Sequence, residues 1–166
     1  VFGESAVRPS PLLLGLYDEL LEKALAGAPL AAPHRRLYVS RADSQNRPLD
    51  QDAELGQILA DRGFESLTLS GLSVAQQAKL FAEAEVVVGP HGAGLTNLGF
   101  CRPGTKVLEL APSHYSNPCF LALSHLAGLE HAIYVGPAQG KTPLRHKRHF
   151  SVRIEAVLQA LDELLA

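Results

Sequence analysis

Five short apolar runs alternate with helix-patterned segments along these 166 residues, and that alternation limits the possible folds more than any single motif does. The runs lie at 37–40, 66–69, 85–88, 106–110 and 132–135. They are nearly continuous in apolar character rather than strictly alternating, as strands are when both faces of a sheet are covered. Helical spacing of apolar residues predicts helices over 12–26, 52–62, 73–84, 94–100, 117–126 and 152–165. Gly63 stands where a helix ends, and Ser73 with Gln76 forms a capping-box pattern. Strands joined by right-handed helical crossovers predict an α/β fold: a doubly wound, Rossmann-like, mostly parallel five-stranded sheet in the order 2-1-3-4-5. In such a sheet ligands sit beyond the carboxyl ends of the strands, where the winding reverses. Here that crevice falls between the loop after the first strand and the loop after the third.

The third strand carries the densest signal. Val86-Val87-Val88 runs into Gly89-Pro90-His91-Gly92-Ala93-Gly94 and then Leu95-Thr96-Asn97. Glycines allow a ligand close to the backbone, and N–H groups at a helix start favour an anion. The bland alternative is a tight strand-to-helix turn. His91 adds a ring that can donate or accept a proton. Across the crevice, Ser40-Arg41 follows the first strand directly. Arg41 reads either as a phosphate-binding guanidinium or as a surface arginine paired with Asp43 or Asp52. Thr96 and Asn97 could bond a ribose, a phosphate or a base edge, or satisfy local backbone groups. Glu109 lies inside an apolar strand, so it reads as a ribose-hydroxyl acceptor or as half of a salt bridge. The basic stretch at 141–149, with Lys141, Arg145, His146, Lys147, Arg148 and His149, follows the fifth strand. It is either a solvated loop or a grip on phosphate or an anionic acceptor.

Composition narrows the class. A net charge of -2 gives no whole-chain case for nucleic acid. The two cysteines, Cys101 and Cys119, show no metal-ligand spacing and read as buried thiols. No apolar run is long enough for a membrane span. The chain has no methionine and no signal-peptide layout at Val1-Phe2-Gly3-Glu4, so a piece of a longer protein is expected. Its organisation is expected to be an amino-terminal helix and linker at 1–33, then a nucleotide-sugar-binding domain at 34–166.

Some chemistries are disfavoured. His91-Gly92-Ala93-Gly94 is similar to an esterase oxyanion segment, but the nearest G-x-S-x-G string, Gly71 to Ala75, precedes a helix, and Ser73 is better read as its cap. There is no Walker A lysine and no D-x-D carboxylate pair, so no metal site is expected.

Taken together, the strings Leu37-Tyr38-Val39-Ser40-Arg41, Arg47-x-Leu49-x-Gln51-Asp52-x-Glu54-Leu55, Gly63-Phe64, Leu72-Ser73-x-x-Gln76-Gln77-x-x-Leu80-Phe81, Val88-Gly89-x-His91-Gly92-Ala93-Gly94-Leu95-Thr96-Asn97 and Pro103-Gly104-Thr105-x-Val107-Leu108-Glu109 resemble glycosyltransferase family 61. That group includes capsular polysaccharide proteins and eukaryotic xylosyl- and N-acetylglucosaminyltransferases. The resemblance runs from about residue 37 to residue 110 and weakly into the last helix. Gln51-Asp52 replaces the family's Asn-Glu, and Gln76 stands where Glu is usual.

The resemblance implies an inverting sugar transfer from a nucleotide sugar, on one half of a GT-B-type architecture, with the nucleotide sugar as substrate and no cofactor. Arg41 and the N–H groups of Gly89, Gly92, Ala93, Gly94 and Leu95 would neutralise the diphosphate, together with Ser40. His91 would bond a phosphate oxygen or a sugar hydroxyl, and Arg41 and His91 would carry the catalytic roles. Thr96, Asn97 and Glu109 would hold nucleoside or sugar hydroxyls. The implied partners are the donor, a glycan or polysaccharide acceptor, and a missing amino-terminal half of the same protein. A bacterial cytoplasmic setting, at the membrane surface, is the expected location.

Overall fold

The computed structural model describes residues 10–115, 117–140 and 147–166. The elements are α1 (Pro11–Leu25), β1 (Arg35–Val39), α2 (Asp52–Asp61), β2 (Glu65–Leu67), α3 (Val74–Ala82), β3 (Ala84–Pro90), a 3-10 helix (Ala93–Phe100), β4 (Lys106–Pro112), α4 (Cys119–Leu126), β5 (Glu130–Gly136) and α5 (Ile154–Leu165). The strands form one five-stranded sheet in the order β2-β1-β3-β4-β5. Every pairing is parallel. The expected doubly wound, Rossmann-like fold is therefore the observed one, with the winding reversal between β1 and β3.

Residue alternation divides the core into two layers. Leu37, Val39, Val87 and Val107 face one side, where they meet Tyr17, Phe81, Leu95, Leu98, Phe120 and Leu123. Tyr38, Val86, Val88, Leu108 and Leu110 face the other, against Leu55, Leu59, Phe150, Val157 and Leu161. Both faces are covered, which is why the strands carry no polar alternation. Glu109 shares the parity of Val107 and so points toward the α3 and α4 side.

Ser73 caps α3 as expected. Its hydroxyl accepts from the Gln76 amide at 3.3 Å, and the Gln76 side chain accepts from the Ser73 amide at 2.8 Å. Glutamine thus completes the box without the usual glutamate, and the hydroxyl is committed to helix geometry. The segment at 94–100 is helical as expected. It coils as a 3-10 helix rather than an α-helix, closed by the Leu95 amide on the Gly92 carbonyl at 2.9 Å. Gly94 and Gly99 weaken α-helical propensity there. The tighter coil also serves packing, because Gly99 lies against the Tyr17 ring. A Cβ on Gly99 would fall 2.3 Å from that ring.

Tyr17 ties α1 to the 3-10 helix. Its ring packs edge-on against Phe100, with centroids 4.7 Å apart, and its hydroxyl donates to the Thr96 carbonyl at 2.8 Å. Leu13, Leu14 and Leu21 add to the same core layer. We expect Gly99→Ala to drive the ring out and cost about 1–3 kcal/mol. Thermal melting should show the loss, and hydrogen exchange should place it in α1. Unchanged α1 protection would show that the ring relocates without cost.

The long connection after β5 returns across the molecule through Phe150, which is fully buried and bridges to both Leu49 and Ala138. Next to it, the Val152 amide donates to the Gln51 side chain at 2.9 Å, and His149 bonds Asp50 at 2.6 Å. These contacts pin the loop after β1. Residues 141–146 of the basic stretch, Lys141, Arg145 and His146 among them, lie outside the described residues. No helix among the described residues is long and apolar enough to cross a membrane.

Candidate functional site

A cleft of about 380 Å³ opens at the carboxyl ends of β1 and β3, at the winding reversal. Ser40 and Arg41 form one wall, Pro90, Ala93, Gly94 and Asn97 another, and Ser70 and Gln77 the floor. Gly89 lets β1 and β3 approach at its mouth. A Cβ there would fall 3.1 Å from Val39 Cβ.

The loop after β1 is organised by one carboxylate. Asp52, in the first turn of α2, accepts from the Tyr38 hydroxyl at 2.7 Å, the Ser40 hydroxyl at 2.5 Å and the Arg41 amide at 3.4 Å. Burial pushes the Tyr38 phenol far above its ordinary value, with the Asp52 charge adding to it. Gln51-Asp52 therefore orients the Ser-Arg segment even though it departs from the family's Asn-Glu.

The Nη1 end of the Arg41 guanidinium fills the space beside Gly92. A Cβ on Gly92 would fall 1.3 Å from Arg41 Nη1, so only glycine leaves room for it. Nη1 donates to the His91 carbonyl at 3.3 Å, and Nη2 donates to Ser44 Oγ at 2.8 Å and the Asn46 carbonyl at 2.7 Å. Its Nε is buried without a hydrogen bond. Among the described residues Arg41 has no ion pair with Asp43 or Asp52. Burial and the neighbouring Arg47 charge lower its proton affinity, though a guanidinium stays charged at any working pH.

Arg47 is the residue that sequence reasoning passed over. It stood in the quoted family string, but the polar stretch at 42–51 has no periodicity to place it. The structure puts its guanidinium 4.4 Å from the Tyr115 ring centre, with Nε buried and unbonded. Its backbone holds φ 50°, a left-handed conformation that costs a non-glycine residue energy. Arg35 and Arg36, at the opposite end of the sheet, bond Glu83, Glu65 and Glu85. Arg41 and Arg47, at the ligand end, have no carboxylate partner among the described residues.

Behind the glycine turn lies a buried polar chain. His91 is 4% exposed and Glu109 2%. His91 Nδ1 bonds Glu109 Oε1, and His131 Nε2 bonds Glu109 Oε2 at 3.0 Å. His131 Nδ1 in turn meets Ser124 Oγ at 2.7 Å. Burial alone would raise the Glu109 pKa. The hydrogen bonds from His131 and His91, with their charges, outweigh it and hold the carboxyl below its ordinary value. His91 Nδ1 and His131 Nε2 each face a carboxylate oxygen, and no metal-holding group of His, Cys, Asp or Glu exists among the described residues. The His91 ring also packs on Tyr115 and Phe120, with centroids 5.3 and 5.0 Å away.

The named residues therefore separate. Ser40, Arg41, Ala93, Gly94 and Asn97 line the cleft, while Gly89 and Gly92 supply room. Leu95 is core, and Thr96 is exposed with its carbonyl taken by Tyr17. Asn97 bonds Gln77 at 2.9 Å and the Gly94 carbonyl at 3.1 Å. Glu109 reaches no part of the cleft lining, and both its oxygens are filled by histidines, so it supports His91 instead of meeting hydroxyls directly. Of the basic stretch, His149 is tied to Asp50.

Residues 5–108 match the family described as Glycosyltransferase 61, more than half of the chain. The match begins upstream of the quoted strings and takes in α1. Over 63 residues, 37% of the chain, the sequence is 48% identical to "Beta-1,2-xylosyltransferase RCN11" of Oryza sativa subsp. japonica, covering 12% of that protein. Over 74 residues, 44% of the chain, it is 30% identical to "Beta-1,2-xylosyltransferase" of Arabidopsis thaliana, covering 14% of it. The chain thus corresponds to a small fraction of the length of these relatives. Both are plant xylosyltransferases, which overturns the expectation of a bacterial cytoplasmic protein. With its strings set in place around one cleft and its match spanning residues 5–108, the chain belongs to the glycosyltransferase 61 family.

Proposed function

We propose that this chain is the nucleotide-sugar-binding part of an inverting glycosyltransferase acting in glycan synthesis. The observation that carries the reading is the pair of guanidiniums, Arg41 in the cleft at the winding reversal and Arg47 in the loop beside it, neither in a salt bridge among the described residues. Burial and the Arg47 charge act against the Arg41 charge and outweigh the pull of Asp43 and Asp52, an arrangement suited to an anion with more than one charge. A nucleoside diphosphate leaving group is such an anion. Arg41 would pair with it from the Gly92 shelf, and Arg47 would close on it from the Tyr115 side. In this role the arginines stabilise negative charge as it develops on the departing diphosphate. The names of the relatives make a xylose donor the first to test.

Among the described residues, the cleft lining has no histidine and only Asp43 as a carboxylate. The base that takes the acceptor's proton and the acceptor surface itself are therefore assigned to the larger remainder of such an enzyme. The boundary at residue 33, with the nucleotide-sugar-binding unit at 34–166, belongs to the same proposal.

The direct test is calorimetric titration of the chain with UDP and UDP-xylose in excess chelator. Binding is expected to persist, because the guanidiniums supply the counter-charge. Binding that disappears in chelator and returns with magnesium or manganese would overturn the metal-free reading. No binding under either condition would overturn the donor-site reading itself.

A further inference from the structure

We propose that His131 and Ser124 are positioning residues which, through Glu109, hold His91 as the Nδ1–H form and leave its Nε2 a hydrogen-bond acceptor. The argument is one of donor polarity along the buried chain. A carboxylate has no proton to give, so each ring nitrogen facing Glu109 must carry one: Nδ1 of His91 and Nε2 of His131. A neutral His131 then has a lone pair on Nδ1, and the atom that meets it is Ser124 Oγ, whose hydroxyl can donate. Every atom of this chain is enclosed. The His131 and Glu109 side chains are 2% and 3% exposed, and Ser124 is fully buried. Water cannot reverse the order of donors cheaply in such surroundings. The two histidines are thereby set in opposite tautomers on one carboxylate.

A neutral His91 held this way cannot donate from Nε2: that atom is an acceptor, and it donates only after taking a second proton. His131 also shares the Glu109 charge, so the pull of the carboxylate on His91 is divided. The other groups around the pair are Cys119 on α4, near Glu109; Arg41, on the His91 carbonyl; and Arg47, across Tyr115. Tyr115 and Phe120 cover the His91 ring itself.

The test is long-range proton–nitrogen NMR of the full chain with ¹⁵N-labelled histidine, without nucleotide. The expected spectrum shows neutral His91 protonated at Nδ1 and neutral His131 protonated at Nε2. His131→Leu, which removes the shared donor, should loosen Glu109 and let part of the neutral His91 population carry its proton on Nε2. His131→Gln keeps an N–H for Glu109 and should keep the wild-type His91 tautomer. Both rings in the same tautomer in the wild type, or a His91 tautomer unmoved by His131→Leu, would overturn the proposal. If His131→Leu does not fold, the wild-type tautomers and the His131→Gln spectrum decide it alone.

Discussion

Replacing Arg41 with alanine should weaken UDP binding at least tenfold. A hydrogen bond to a charged group contributes roughly 1.5–3 kcal/mol, and each 1.4 kcal/mol is a factor of ten. Arg47→Ala should have a similar effect, since its guanidinium has no other anion to serve among the described residues. The double variant should lose less than the product of the two, because removing one arginine relieves repulsion on the other. Arg41→Lys should not restore affinity. Lysine keeps the charge but not the flat fork that bonds Ser44 and Asn46 while resting on Gly92. Calorimetry on the wild type and these four variants measures all of this. Affinities within twofold of wild type for Arg41→Ala would remove the guanidinium from the site.

The second large effect should fall on stability. Glu109→Ala leaves two buried histidines without their shared acceptor and opens a void in the α4 layer, at an expected cost of about 3–5 kcal/mol. For a chain of this size that is a fall in melting temperature of roughly 10 °C. The pH dependence follows from the depressed carboxyl pKa. Around and below the ordinary glutamate value, near pH 4.3, the unfolded chain binds the proton more readily than the folded one. The contribution of Glu109 is therefore complete above that value and is lost as pH falls through the lower, folded one. Denaturant melts of wild type and Glu109→Gln should differ most at neutral pH and converge toward pH 3. A gap of constant size over that range would mean that folding does not shift the carboxyl, and a gap that narrows as pH rises would mean that it is not ionised in the folded state.

Most of the fold could be read from the chain because it rests on local signals. Apolar runs, the Ser73–Gln76 box and Gly63 each act within a few residues, and handedness then leaves few topologies. Strand order and the location of the crevice follow from that alone. The site was less legible because its parts are joined by long-range contacts. Arg47 reaches Tyr115 across 68 positions of sequence that carry no common pattern. His131 meets Glu109 only because parallel register sets residue 107 beside residue 131, so that the side chains of 109 and 131 emerge on one face. Glu109 itself was read correctly as a residue needing partners. That the partners are two histidines, and not a ligand, is a fact of packing. The 3-10 pitch at 93–100 escaped for a related reason: it answers to the Tyr17 ring, which is contributed by a helix some eighty residues earlier.

The Gly92 shelf has a consequence for how this protein can change over generations. The space that a first side-chain carbon would need at 92 is already filled by the guanidinium of 41. Gly92 adopts an extended backbone that any residue could share, so the constraint is not conformational. It comes from a side chain fifty positions away. An alanine at 92 could therefore appear only if the guanidinium gave up its present place, and loss of the arginine would remove this particular demand for glycine.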